Sequence, residues 1–162
     1  MDLNWEWAEK TVAMIVAERL GTAVSCVADV SVPEQCQNTV NTAISEFGRL
    51  DILVNKVGIP GELGSVVEVD IVKWRHAFAV NLESVVPMSR DSITEMLQTG
   101  ETKGSVVDLS SIAGLSGSPS SMLAYATNKG AILNLTKTKA PQHDKQGIRV
   151  NCVVPGKSRL IA

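Results

Sequence analysis

Two stretches in the first third of the chain carry apolar residues at helical spacing. The first covers residues 8–20, where Ala8, Val12 and Ile15 share one face. The second follows Ser31, and Ser31 with Glu34 three residues later is typical of a helix start in which Ser31 is the N-cap. These patterns predict two amphipathic helices, and we expect the second to end at Gly48.

Two further helical stretches follow in the second half of the chain. One runs over residues 70–98, and Pro87 is the position where we expect a bend. The other begins near Met122. Pro141 lies inside this last helix and removes a backbone hydrogen bond, so the pattern predicts that the helix ends near Lys139 or kinks.

Four short apolar runs alternate with these helices and are typical of buried strands. They cover residues 22–28, 51–54, 105–109 and 149–154. Strands that alternate with helices favour an α/β fold with a parallel sheet. In such sheets ligands bind outside the carboxyl ends of the strands. Polar or loop-forming residues follow each run, at Asp29, Asn55, Ser110-Ser111 and Pro155-Gly156.

Composition narrows the class of protein. A chain of 162 residues with 44% hydrophobic and 20% charged residues is expected to form a single domain over residues 1–162. The net charge of −2 gives no basic field for nucleic acid or a membrane surface. The first residues have neither the basic nor the apolar part of a signal peptide. Three cysteines at wide spacing predict free thiols, and a cytoplasmic protein is expected.

Tyr125 and Lys129 are the first candidates for chemistry. They lie four residues apart on a predicted helix and therefore share a face. An ammonium nearby favours the phenolate form of a tyrosine. The pair could then exchange a proton with an alcohol or carbonyl oxygen, although the same spacing also arises as a plain surface pair.

The surrounding motifs resemble those of the short-chain dehydrogenase/reductase family, and most closely its members similar to 3-oxoacyl-carrier-protein reductases. The Tyr-x-x-x-Lys motif stands 14 residues after Ser111, as the active-site serine of the family does. The other motifs that carry the resemblance are Ala28-Asp29-Val30-Ser31, Leu53-Val54-Asn55-Lys56-Val57-Gly58, Val80-Asn81-Leu82, Gly147-Ile148-Arg149-Val150-Asn151 and Val154-Pro155-Gly156. Their order covers nearly the whole chain.

The resemblance implies an oxidoreductase that uses NAD or NADP. Tyr125 would be the general acid/base, and Lys129 would favour its phenolate and hold the nicotinamide ribose. Ser111 would bind the substrate oxygen, and Asn81 would hold a water that relays protons to Lys129. Asp2 falls where the family often has an acid that binds ribose hydroxyls and favours NAD. The implied cofactor-binding residues are Asp2, Asp29, Val30, Asn55, Gly58, Tyr125, Lys129, Pro155 and Gly156.

The sequence also departs from the family pattern. No glycine-rich turn for a pyrophosphate precedes residue 22, and Lys56 and Val57 replace the usual Asn-Ala. The expected fold is therefore a Rossmann-type parallel sheet with flanking helices that lacks the first two strands and the last strand. We expect the 22–28 strand to close against the 51–54 strand, because unpaired buried backbone groups are costly.

Three functions remain open on the sequence. The first is hydride transfer between a nicotinamide and a small secondary alcohol or ketone. The second is a non-catalytic fragment that associates with a complete homologue, and the third is a cofactor-independent isomerase, dehydratase or cyclase. In the family, two long helices often form a dimer contact, which implies a homo-oligomer through residues 70–98 and 122–139. Neither nucleic acid nor a membrane is expected as a partner.

Overall fold

A computed structural model describes residues 1–98, 104–116 and 122–156. In chain order the elements are α1 (Trp5–Ala17), α2 (Pro33–Phe47), β1 (Ile52–Asn55), α3 (Ile71–Phe78), a π-helical turn (Ala79–Glu83), α4 (Val85–Gln98), β2 (Ser105–Leu109), α5 (Ala113–Ser116), α6 (Leu123–His143), a 3₁₀ turn (Asp144–Gln146) and β3 (Arg149–Val153). None of the helices in these ranges is long and apolar enough to cross a membrane.

The described residues form a parallel sheet of three strands in the order β1-β2-β3. Ile52 is level with Ser105, and Ser105 is level with Arg149. On β2 the side chains of Val106 and Asp108 are fully buried, as the strand alternation requires. A parallel sheet with helices between its strands confirms the predicted α/β class, and the predicted strand over residues 105–109 is confirmed at both ends.

The core lies between the sheet and the helices α2, α4 and α6. Helices α4 and α6 contact the sheet, and α2 packs on α4. The cluster of buried apolar residues comprises Val30, Cys36, Val40, Leu53, Val80, Met88, Ile93, Met96, Val106, Ile148 and Val150. All three cysteines are free thiols, and Cys36 is the fully buried one.

The prediction that residues 22–28 form a strand closing against residues 51–54 is wrong. Within that run only Val27 pairs, through an isolated parallel bridge to Asp2. The N–H of Asp2 donates to Cys26 O at 3.1 Å, and the N–H of Ala28 donates to Asp2 O at 3.2 Å. Two backbone groups of this run, the carbonyl of Cys26 and the N–H of Ala28, therefore find their partner in Asp2 rather than in β1. Ile52 and Val54 on β1 remain 62% and 52% exposed.

The ends of the first two helices differ from the prediction. Helix α1 starts earlier, because the side chain of Asn4 accepts a hydrogen bond from the N–H of Trp7. Ser31 is not the cap of α2: Val32 holds that position without a side-chain bond, and Pro33 is the first helical residue. The Ser31 hydroxyl donates to Asp29 instead. Gly48 ends α2 with a φ of 76°, as expected.

The helical region from residue 70 is interrupted by the π-helical turn, and Pro87, where a bend stays a prediction, lies in the first turn of α4. The Asp70 side chain caps its start by accepting from the N–H groups of Val72 and Lys73. Of the two outcomes predicted for α6 at Pro141, an end near Lys139 is wrong, since the helix continues through Pro141 to His143, and a kink stays a prediction. Pro141 and Lys137, whose carbonyl loses its helical partner, are both exposed, so water can take that bond.

Candidate active site at the carboxyl edge of the sheet

Hydrogen bonds tie the segments that follow β2 and β3 into one polar edge. The N–H of Ser110 donates to Val153 O at 2.9 Å, and the N–H of Ile112 donates to Pro155 O at 3.0 Å. Ser111 lies between these two anchors, half-buried, and its Oγ accepts from the N–H of Ala113 at 3.2 Å. This is the edge where a parallel sheet places its ligands.

Helix α6 brings Tyr125 and Lys129 to this edge. The Nζ of Lys129 lies 5.7 Å from the centroid of the Tyr125 ring, within range of a cation–π contact. It also donates to Leu109 O at 2.6 Å. The structure therefore places the two residues side by side, with the amine fixed at the end of β2. We also expect the hydroxyl groups of Ser111 and Tyr125 to converge at this edge, and this stays a prediction.

Asn81 lies in the π-helical turn and is fully buried. Its Oδ1 accepts from the N–H of Ile59 at 2.7 Å, and its Nδ2 donates to Ile59 O at 2.8 Å. The amide thus holds the 58–59 loop against the helical layer. A Cβ atom added at Gly58 would lie 3.4 Å from Asn81 Oδ1 and 3.5 Å from Lys129 Nζ. Asn81, Gly58 and Lys129 therefore meet at one point.

Burial lowers the pKa of Lys129 below its usual 10.5. The residue is 4% exposed. A carbonyl oxygen is the acceptor on its amine, and a neutral acceptor only partly compensates for lost hydration. Cys152 acts in the opposite direction, because its thiolate form would favour the ammonium.

Asp2, Asp29 and Val30 line a second part of the edge. They border a pocket of about 160 Å³ together with Met1, Leu3, Ala28, Val57, Ile59, His76 and Val80. Asp29 Oδ1 accepts from the Ser31 hydroxyl at 2.6 Å and from the Ser31 N–H at 2.9 Å, and both bonds lower the pKa of Asp29. His76, for which the sequence analysis predicts no role, also lines this pocket.

Asn55 and Gly156 are two further predicted cofactor-binding residues, and their surroundings differ from those of Gly58, which lies next to Asn81 and Lys129. The Asn55 side-chain N–H donates to Asp108 Oδ1 at 2.8 Å and to Ser89 Oγ at 3.3 Å, inside the protein. Gly156 is exposed, and a Cβ atom there would meet no neighbour within 4 Å. Pro155 is held through its carbonyl, as described above. These residues border the edge, but the side chain of Asn55 is engaged elsewhere.

Sequence reasoning missed a buried ion pair directly behind this edge. Lys139 Nζ lies 2.9 Å from Asp108 Oδ2, and it also donates to Ser89 Oγ at 2.9 Å. Thr136 Oγ1 donates to the same carboxylate at 2.7 Å. A signal was present in the sequence, because Lys129, Thr136 and Lys139 recur at the spacing of one helix face. Lysine is usually assigned to the surface, and this concealed the pair.

The residues at the edge fit two ends of a nicotinamide dinucleotide. Asp2 and Asp29 offer carboxylates beside an apolar pocket, which suits an adenosine with its ribose hydroxyls. Gly58 has no side chain, and a Cβ atom at this position would already contact both Asn81 and Lys129, so the glycine keeps the space beside these polar groups free. The chemistry of this donor set therefore agrees with the cofactor that the sequence implied.

The fold and this edge together define a Rossmann-type α/β protein. A family model described as enoyl-(acyl carrier protein) reductase matches residues 2–160. The chain is 37% identical to 2-(S)-hydroxypropyl-CoM dehydrogenase 3 of Xanthobacter autotrophicus, over 96% of this chain and 59% of the relative. It is also 37% identical to cyclohexanol dehydrogenase of an Acinetobacter species, over 99% of this chain and 63% of the relative.

Solved structures give the same result. The NAD⁺-bound structure of a xylitol dehydrogenase superposes with a TM-score of 0.88 at 33% identity, over 96% of this chain and 58% of that one. The chain belongs to the short-chain dehydrogenase/reductase family. It spans about three fifths of the length of the relatives described here.

Proposed function

We propose that the protein is a nicotinamide-dependent oxidoreductase that interconverts a small secondary alcohol and its ketone. The observation that carries this proposal is the cluster of Tyr125, Lys129, Asn81 and Gly58 at the carboxyl edge of the sheet. In this cluster the phenol of Tyr125 lies beside the buried amine of Lys129, next to the space that Gly58 leaves free. The relatives are named as dehydrogenases of hydroxypropyl-CoM, cyclohexanol and xylitol, which supports an alcohol as the substrate class.

Tyr125 is the proposed general acid/base. In the reductive direction its hydroxyl gives a proton to the carbonyl oxygen, and the nearby Lys129 ammonium stabilises the phenolate that remains. Ser111 donates a hydrogen bond to the same substrate oxygen and orients it. Asn81 holds the loop at Ile59 in place, and through it a water that returns protons toward Lys129.

A bound nicotinamide would supply or accept the hydride at carbon. We propose that Asp2, Asp29 and Val30 hold the adenosine half, and that Asn55, Gly58, Pro155 and Gly156 border the nicotinamide half with Tyr125 and Lys129. Two carboxylates near the ribose favour its free hydroxyls over a 2′-phosphate. We therefore propose NAD rather than NADP as the preferred cofactor.

The test is a titration of the purified chain with NADH and NADPH, followed by nicotinamide fluorescence. We expect saturable NADH binding that weakens when Asp2 and Asp29 are both changed to Asn. Lys129→Ala should also weaken binding, whereas Lys137→Ala, on the exposed face of the same helix, should not. Without saturable binding of either cofactor the proposal fails, and the cofactor-independent and non-catalytic alternatives would remain.

We further propose that residues 1–162 fold as one cytoplasmic domain that forms a homo-oligomer through the α4 and α6 helices. Val86, Ile93 and Leu97 from α4 and Leu135 from α6 border a groove of about 390 Å³ between the two helices. Val86 and Leu97 are 53% and 39% exposed, so an apolar surface is available there for a second copy.

A further inference from the structure

Ser110 makes a contact that the proposed mechanism does not use, and the sequence analysis predicts a catalytic role only for its neighbour Ser111. It is 4% exposed, and its Oγ donates to the main-chain carbonyl of Lys129 at 2.6 Å. Its own N–H donates to Val153 O at 2.9 Å. One residue therefore links the end of β2, the end of β3 and the first turns of α6.

The two glycines nearby allow this link to be short. A Cβ atom added at Gly114 would lie 2.5 Å from both the Gly130 nitrogen and the Lys129 carbonyl carbon. One added at Gly130 would lie 3.1 Å from Gly114 O. Since real Cβ atoms do not approach backbone at 2.5 Å, any side chain at Gly114 would push α5 away from α6.

Lys129 is consequently held at both of its ends by consecutive residues. Ser110 binds its main-chain carbonyl, and the carbonyl of Leu109 accepts from its Nζ at 2.6 Å. The side chain spans from one bond to the other and passes beside Tyr125. A shift of α6 along the sheet would break the first bond and strain the second.

We infer that Ser110 is a positioning residue for the active site, whose hydroxyl locks α6 in the register that places the Lys129 amine beside Tyr125, Asn81 and Gly58 before any cofactor binds. Gly114 serves the same purpose by permitting the close approach. The importance of Ser110 for the reaction rests on the proposed function. The hydrogen bond that fixes α6 is a property of the folded chain alone.

The test is the NMR titration of Lys129 in protein labelled with ¹³C at lysine Cε, without cofactor or substrate. In Ser110→Ala the amine should gain access to water, and the pKa of Lys129 should rise toward 10.5. Gly114→Ala should move it in the same direction, and Ser110→Thr, which keeps the hydroxyl, should restore the wild-type titration. The titratable neighbours Tyr125 and Cys152 are unchanged in every variant.

Ser84→Ala is the matched control. The Ser84 hydroxyl is similarly buried and donates at the same 2.6 Å, but its acceptor is Val80 O in its own helical segment rather than a carbonyl of α6. An unchanged Lys129 titration in Ser110→Ala, or an equal change in Ser84→Ala, would overturn the inference. If Ser110→Ala does not fold, the wild-type protein still decides: the Ser110 hydroxyl proton should exchange slowly and show a cross-peak to Lys129, and its absence would count against the lock.

These readouts separate the two proposals. If the pKa of Lys129 changes in Ser110→Ala but the chain binds no nicotinamide, the positioning role of Ser110 is supported and the proposed oxidoreductase function is rejected. If the chain binds NADH saturably but the pKa of Lys129 is unchanged in Ser110→Ala, the oxidoreductase function is supported and the positioning role of Ser110 is rejected. If both proposals are correct, Ser110→Ala should lower kcat for ketone reduction more than it raises KM for the ketone. The reason is that the substitution displaces the Lys129 amine, which acts on the Tyr125 phenol rather than on the substrate.

Discussion

Lys129 carries more of the proposed chemistry than any other residue, and its position is energetically unfavourable. Its amine is buried and has a carbonyl rather than a carboxylate as its hydrogen-bond acceptor. The same burial that disfavours its charge also strengthens the field that it exerts on Tyr125. An exposed lysine at this position would cost less to fold and would stabilise a phenolate less.

This arrangement predicts a pH dependence of stability. Because the pKa of Lys129 is lowered in the folded state, the unfolded chain binds more protons between that value and 10.5, and the free energy of unfolding contributed by Lys129 rises with pH in this window. Urea unfolding from pH 7 to pH 10.5 should therefore show wild type gaining stability relative to Lys129→Met. Lys137→Met should show no such trend, and a flat wild-type difference would contradict the burial argument.

Tyr125 provides a second prediction at the residue scale. If the chain reduces a ketone, Tyr125→Phe should lower kcat by about 10²–10⁴-fold, the usual contribution of a positioned acid. The measurement is NADH oxidation in the presence of a small cyclic ketone. Because Tyr125 is also proposed to border the nicotinamide, the loss in kcat should exceed the loss in NADH affinity. Undiminished turnover in the Phe variant would remove Tyr125 from the mechanism.

At the scale of elements, the pattern of the sequence predicted burial better than pairing. The 105–109 run became β2 because its valines and leucine suit a buried strand and a neighbouring strand was available on each side. The 22–28 run has similar residues, yet only Val27 pairs, and with Asp2 rather than β1. Periodicity reports which side chains avoid water, whereas pairing depends on which backbone lies beside the strand, and residues 1–3 were not counted as a partner.

The candidate site, like the elements of the fold, could be predicted from the sequence only in part. Tyr125, Lys129, Asn81 and Gly58 were singled out through their spacing and their motifs, and the structure brings Gly58 next to Asn81 and Lys129, while their roles stay predictions. The Asp108–Lys139 pair was missed, since nothing in a linear pattern says that a lysine on the buried face of a helix has a carboxylate opposite. Only the packing of α6 on β2 brings those two residues together.

That pair joins α6 to β2 and predicts a large effect on stability. Lys139→Met should destabilise the fold by about 3–5 kcal/mol, because Asp108 would keep a buried charge with only the neutral donors of Thr136 and Asn55. Chemical denaturation measures this directly. The double variant Asp108→Asn with Lys139→Met should recover part of the loss. A single variant as stable as wild type would show that water reaches the carboxylate.

At the scale of the whole molecule, exposed apolar residues mark the surfaces where further contacts can form. They occur on α1 at Trp5 and Trp7, on the outer edge of β1, in the loop at Val66 and Val67, and along the groove between α4 and α6. Only the last of these lies on helices that the sequence predicted as an assembly surface. Pro87 and Pro141 also lie on these helices, but α4 and α6 are continuous over Val85–Gln98 and Leu123–His143. The prolines therefore do not break the surface.

We therefore expect the protein to form a homo-oligomer through the groove between α4 and α6, which light scattering would detect as a mass of at least two chains. Changing both Val86 and Leu97 to Lys should yield a monomer, because each lysine would place a charge in an apolar contact at a cost of several kcal/mol. Val67→Lys is the control, since Val67 is 88% exposed and does not border the groove. A wild-type chain that stays monomeric at high concentration would refute the contact, and a double variant that still associates would move the contact to another of the exposed apolar surfaces.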